Sequence, residues 1–314
     1  MTVAVVDTGV STDLPALKQR VTAVGQAAAD CVGHGSFVAG LIAASPSAAI
    51  QFAGVAPQAR IIAARGTDER GQATPDSVAG GISAAVKAGA AVITVSPALD
   101  RSSEALAKAV RLALQNDAVV VAAATPDPPK GTFPSKPPKA RDYFPAALPG
   151  VLSVVDFDKQ AKRPQNALLP RQADLSAPGD GVISVGPRGK GHLIGSGASL
   201  AAAYAAGTAA LVRSAHPSMR AAEVSRYLVT TAYPADVPRL DPYAAVGSLR
   251  DTPEPEDAKV ATPLVDLPDR TVAHRTISRA SLVSAAGVAL VIAVAWAGAA
   301  VPRARARRRG QIAG

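Results

Sequence analysis

The sequence predicts an α/β fold: a mostly parallel sheet of about seven strands with helices on both faces. Two observations lead there. Short β-branched runs alternate with Ala-rich stretches of helical length over residues 1–250 of the 314, and repeated strand–helix–strand units cover both faces of a parallel sheet. Aromatic residues form only 4% of the chain, against 26 glycines, so the core is built from small aliphatic side chains and its elements must pack closely. The length also exceeds a usual single domain, leaving room for segments outside the sheet.

In chain order, "VAVVD", ending at Asp7, reads as the first strand, and "GHGSFVAGLIAA" at 33–44 as an apolar helix headed by His34. The strand "RIIAAR" at 60–65 precedes a helix over 76–88. "AAVITVS" at 90–96 is a strand and 102–116 a helix, followed by strands "AVVVAAA" at 118–124 and "GVLSVV" at 150–155. An Ala-rich helix over 199–215 follows "IGSGA". Residues 251–279, rich in proline and charge, read as a linker.

Residues 280–301 carry no charge and only two serines as polar residues. At about 1.5 Å per residue such a helix spans a hydrocarbon core of roughly 30 Å. Trp296 stands near one end, and Arg303, Arg305, Arg307, Arg308 and Arg309 follow at once. The positive-inside bias therefore places the tail, 302–314, in the cytoplasm and everything before Ala280 outside the cell membrane. An exported domain needs a leader, and "MTVAVVDTGV" begins directly with a strand. Either the natural N-terminus lies upstream of Met1 or the topology is inverted.

The formal net charge of +9 is about half accounted for by the terminal arginines. No aromatic residues interleave with them, so no nucleic-acid partner is expected. Cys31 is the only cysteine, which excludes an intrachain disulfide and leaves two readings, a small buried residue or one that has lost its partner. No Asp-rich loop has calcium-binding spacing, and no metal or cofactor is expected.

Three residues carry the chemistry. Asp7 ends a parallel strand, where ligand sites of open α/β sheets gather. His34 stands between two glycines at a helix head, which leaves room beside its ring. Ser199 begins a helix, near unpaired amides that favour developing negative charge. Asp, His and Ser in that order match one of the known chain orders of the serine-protease triad. Across residues 1–250 the chain resembles the subtilisin-like serine peptidases, through "VAVVDTGV", "GHGSFVAGLIAA" and "GASLAAAYAAGTAALV", with support from "GVAPQARIIAAR" and "YFPAALPGVLSV". Within that family it is most similar to the mycosins, membrane-anchored subtilases associated with type VII secretion in actinobacteria. That similarity rests on "LSAPGDGVISVGPRGKG", "AYAAGTAALVRSAHP", the Pro-rich linker and the terminal span.

The resemblance implies a subtilisin-like fold and a protein or peptide substrate. Ser199 would be the nucleophile, His34 the general base and Asp7 the residue that orients the imidazole. His192, His216 and His274 are expected to be structural or solvated. The chain departs from the family pattern in three stretches, and in the Ser motif Ala198 and Ala203 stand where Thr and Pro are usual. Thr125 and Pro126 stand where Gly-Asn normally supplies an oxyanion donor, so the remaining donors are expected to be the Ser199 amide and the Thr125 hydroxyl. In the substrate-pocket segment Ser96 is followed by Pro97, and Gly71, with Gln72, is expected near the extended segment that pairs with substrate. Two functions follow from this: a membrane-anchored serine endopeptidase, or a catalytically impaired subtilase-like domain that supports a secretion complex.

Overall fold

Seven strands form one wholly parallel sheet: β1 (Thr2–Asp7), β2 (Val21–Val24), β3 (Arg60–Arg65), β4 (Val92–Val95), β5 (Val119–Ala123), β6 (Leu152–Phe157) and β7 (Leu175–Pro178). Their spatial order is β2-β3-β1-β4-β5-β6-β7. From β1 the chain builds first toward one edge and then toward the other, so the carboxyl end of β1 lies at the switch point where such sheets place their sites. The computed structural model describes residues 1–17, 19–46, 52–127, 139–165, 167–188 and 191–247. The expected linker 251–279, the span 280–301 and the tail lie outside the described residues, among which no helix is long and apolar enough to cross a membrane.

Apart from the edge strand β2, the strands are buried on both faces, and their alternation divides the interior into two cores. Val3, Val5, Ile61, Ala63, Val119 and Val121 face one core. Ala4, Val6, Ile62, Ala64, Val120 and Ala122 face the other. The second core is closed by α2 (Pro75–Lys87) and α3 (Glu104–Gln115), and the first by α1 (His34–Ala43), α4 (Ala198–Ala215) and α5 (Ala221–Thr230). Local chemistry starts the outer helices. Thr74 and Ser77 form a reciprocal capping box at α2, with Pro75 at its first position. The Ser103 hydroxyl caps α3 by accepting from Leu106 N–H.

Within residues 1–250 the predicted strands and helices form, with ends shifted by a residue or two. Several elements go beyond the prediction: β2, β7, an antiparallel hairpin of β8 (Val182–Val185) and β9 (His192–Gly195), α5, and α6 (Pro242–Gly247). The edge strand β2 is only half-buried, and β7 ends in proline, so neither has a clear apolar signature.

Helix α4 explains the alanine content. Ala201, Ala202, Ala203, Ala205, Ala206 and Ala209 are completely buried, and the absence of longer side chains lets the helix lie directly against the sheet. Its far end is tied down by Arg213, whose guanidinium donates to the carbonyls of Ala91 (2.9 Å) and Asp117 (2.5 Å) and to Asp117 Oδ2 (2.7 Å). The other Asp117 oxygen accepts from the first amide of α5, Ala221 N–H, at 2.7 Å. Arg213 thus joins α4, β5 and α5. Enlarging this seam should be costly: Ala206→Leu is expected to destabilise the domain by about 1–3 kcal/mol and lower its Tm by several degrees in a thermal denaturation scan.

Candidate active site

Asp7, the last residue of β1, is 1% exposed. An ionised carboxylate buried this far needs compensation. Thr8 N–H donates to Oδ1 at 2.6 Å, and His34 Nδ1 lies 2.9 and 2.8 Å from the two oxygens. Burial pushes the Asp7 carboxyl upward, but His34, Ser96 and the Thr8 amide together outweigh it and the net direction is down, toward the ionised form. For His34, burial favours the neutral ring, yet the carboxylates of Asp7 and Asp127 hold the imidazolium well above the ordinary value of 6.5.

His34 is placed by the loop before it. The buried carboxylate of Asp30 accepts from Gly33 N–H (2.7 Å) and Ser36 N–H (2.8 Å), closing the N-terminus of α1, and from the Thr8 hydroxyl (2.8 Å). The Thr8 oxygen in turn accepts from Gly35 N–H at 3.0 Å. This chain of bonds couples the end of β1, which carries Asp7, to the start of α1, which carries His34. The two backbones pass so closely that a Cβ on Gly35 would lie 2.0 Å from the Gly9 carbonyl oxygen. Sequence reading did not single out Asp30. The short spacing of "DCVGHGS" is its only local cue.

Ser199, the second residue of α4, is 1% exposed. No side chain of the preceding residues caps the helix. Gly197 N–H donates to the Gly179 carbonyl at 2.7 Å, which fixes the entry to α4. The Ser199 hydroxyl oxygen lies 3.0 Å from His34 Nε2. The structure therefore brings Asp7, His34 and Ser199 into one continuous set of contacts. A hydroxyl, an imidazole and a buried carboxylate in this arrangement can carry out nucleophilic attack with proton transfer through the ring.

The remaining expected residues are placed differently. Thr125 is buried, but among the described residues no hydrogen bond joins it to Ser199. The chain turns after β5 so that Asp127, two residues farther on, reaches the site instead. Its Oδ1 accepts from Ser199 N–H at 3.0 Å, and its Oδ2 lies 2.5 Å from Ser199 Oγ and 3.2 Å from His34 Nε2. It is thus the Asp127 carboxylate, and not the Thr125 hydroxyl, that meets Ser199 in this structure. Ser96 sits at the end of β4 with its N–H on the Val6 carbonyl, and its side chain faces Asp7 and helps to keep it ionised, although Oγ makes no regular hydrogen bond.

Gly71 occupies a turn organised by Asp68, whose carboxylate accepts from Arg70 and Gln72 N–H. Its own N–H donates to the Asp68 carbonyl and its φ is +82°, so it flanks the site beside Val32 and Thr8 within a closed turn. Cys31 is exposed, which corrects the reading of a small buried residue. His192 is exposed on β9 with its ring edge-on to Phe52, and His216 follows the end of α4. His274 lies outside the described residues.

Asp30→Ala leaves several buried donors without a partner. It is expected to lower unfolding stability by about 3 kcal/mol or more in urea denaturation, since hydrogen bonds to a charged group contribute about 1.5–3 kcal/mol each.

The model of the family described as "Subtilase family" matches residues 1–267. Mycosin-3 of Mycobacterium tuberculosis (strain ATCC 25618 / H37Rv) is 31% identical over 337 residues, covering 88% of this chain and 73% of its own length. The thermophilic serine proteinase of Bacillus sp. (strain AK1) is 33% identical over 218 residues, covering 68% of this chain. The chain spans 52% of that relative's length, about half. Among solved structures, the serine protease MycP1, described as an essential component of the type VII (ESX-1) secretion system, superposes with a TM-score of 0.66 at 27% identity. That match covers 79% of this chain and 83% of the other.

Proposed function

Because the chain belongs to the subtilase family, we propose that it is a serine endopeptidase that cleaves peptide bonds through an acyl-enzyme on Ser199. One observation carries the reading: a single imidazole bridges a buried carboxylate and a helix-borne hydroxyl, with Nδ1 on Asp7 and Nε2 at 3.0 Å from Ser199 Oγ. Ser199 Oγ attacks the scissile carbonyl carbon, and its proton passes to His34 Nε2. Asp7 accepts from Nδ1–H throughout, which keeps Nε2 as the basic nitrogen and stabilises the imidazolium. His34 then returns the proton to the departing amine as the carbon–nitrogen bond breaks. Water repeats the sequence on the acyl-enzyme, releasing the acid and restoring Ser199. The Ser199 backbone N–H, at the positive end of α4, is placed to donate to the oxygen that gains charge.

The same reading places the peptidase domain outside the cell membrane, anchored by 280–301 with the arginine-rich tail in the cytoplasm, and associates it with type VII secretion. Its support is the uncharged span with its flanking arginines and the similarity to mycosins. A second reading, a non-catalytic component of a secretion complex, is favoured by the carboxylate of Asp127 against Ser199. The two differ in an observable: the second requires secretion to survive Ser199→Ala and to fail on deletion of the domain.

Ser199→Ala is expected to abolish both fluorophosphonate labelling and cleavage of a peptide library. Asp7→Asn should lower turnover by about 10⁴, because the imidazole loses its productive tautomer. Only neutral His34 can accept the serine proton, and its protonated form persists above the ordinary imidazole range. The labelling rate should therefore rise with pH along a limb centred above pH 6.5. A limb at or below that value in wild type would contradict the charge arrangement described here.

A further inference from the structure

Both functional groups of Ser199 are directed at one carboxylate. Asp127 Oδ1 accepts the backbone N–H at 3.0 Å, and Oδ2 lies 2.5 Å from the hydroxyl oxygen. The Ser199 N–H is the donor that the peptidase reading assigns to the oxyanion, so Asp127 stands where a substrate carbonyl oxygen must go. The arrangement resembles a bound product acid, with one oxygen on the oxyanion donor and the other beside the base.

The protons in the site can be counted. His34 gives Nδ1–H to Asp7, so a neutral ring would turn an Nε2 lone pair toward Asp127 Oδ2, an acceptor 3.2 Å away. That approach is favourable only with a proton between them. The arrangement that satisfies every group is imidazolium and carboxylate, with Nε2–H shared between Ser199 Oγ and Asp127 Oδ2 and the serine hydroxyl donating to Oδ2. In this state the base already holds its proton and the nucleophile's proton points away from it.

The local shape accommodates the carboxylate. A Cβ on Gly197 would lie 2.0 Å from Asp127 Oδ1, so only glycine leaves space for the acid at that point. The other charged groups around Asp127 are Asp7 from β1, behind the imidazole, Asp156 at the end of β6 with its ion-pair partner Arg163, and Asp180 after β7. Three of these are acidic and Arg163 is engaged by Asp156, so among the described residues His34 is the cation facing Asp127.

We propose that Asp127 is a built-in occupant of the oxyanion site, which as a carboxylate holds Ser199 unreactive and must swing away or carry a proton before substrate can acylate Ser199. The proposal rests on the peptidase reading above. A carboxylate left in place would repel the developing oxyanion, whereas a protonated acid or an amide would donate to it. Two substitutions separate these routes. Asn keeps the shape and supplies a donor, and Ala vacates the position without supplying one.

The test uses the full-length protein in detergent micelles and measures two quantities. One is the rate of fluorophosphonate labelling at Ser199 as a function of pH. The other is the titration of the His34 ring in histidine-¹³C-labelled protein, assigned among four histidines with a His34→Gln variant. Asp127→Asn is expected to label faster, by up to about 10² if the new amide acts as a full oxyanion donor. Its His34 should titrate at lower pH, carrying the acid limb of labelling with it. Asp127→Ala should show the same lowering of the His34 titration with a smaller gain in rate. If wild type labels readily and Asp127→Asn neither speeds labelling nor moves the His34 titration, Asp127 is no plug and the inference is overturned. If no variant labels while the His34 titration still falls in both, the carboxylate–imidazolium contact stands and the peptidase reading fails instead.

Discussion

Burial of the Asp7 carboxylate at the end of β1 is the constraint to which the surrounding structure answers. At 1% exposure it is cut off from water, and an unpaired charge there would cost several kcal/mol. The Thr8 amide supplies one donor, and among the described residues the cationic partner brought to it is the imidazole of His34. The chain must therefore leave β1, form β2 and return so that α1 starts beside the strand it has just left. Asp30 and Thr8 hold that return in register, and Gly9 and Gly35 make room for the crossing. Chemistry and folding are coupled here, because the groups that tune the imidazole also close the first turn of α1.

The second requirement is a serine that does not wander. The buried residues of its helix, α4, are no larger than Leu, and only short side chains allow a helix to lie this close to a parallel sheet. The low aromatic content is a consequence of that geometry. A core with few large residues gains less from any one side chain and depends more on tight packing everywhere, so the cost of disturbing it is spread over many positions.

Much of this was legible in the sequence, for physical reasons. Strands such as 60–65 and 118–124 are buried on both faces and read as continuous apolar runs, and α3 shows a clear polar and apolar side. Asp7, His34 and Ser199 were found because glycines and small residues surround each in a recognisable order. The hairpin β8–β9 was missed because half of its side chains are exposed and its pattern is weak. Helix α5 carries Ala221, Val224 and Leu228 at helical spacing but starts at Arg220, whose N–H is capped by the Glu223 carboxylate in place of a short polar side chain. Asp127 was missed for a different reason. Its function depends on how far the chain travels after β5 before it turns, and no periodicity encodes that distance. Its only sign was a charged residue between Pro126 and Pro128 in a segment already known to lack the expected donor.

Arg213 makes α4 a beam supported at both ends. At one end the Gly197–Gly179 bond sets the entry, and at the other the guanidinium grips the turn before β5 and, through Asp117, the start of α5. The turn after β5 carries Asp127, so the strand that delivers the carboxylate to Ser199 and the helix that presents Ser199 are bolted to each other at their far ends. Their relative position is set about four turns of helix away from the chemistry. The gap between carboxylate and hydroxyl is therefore a property of the whole strand–helix frame, and a change at the Arg213 end would be felt at the Ser199 end as a change in alignment, without any residue of the site having been touched.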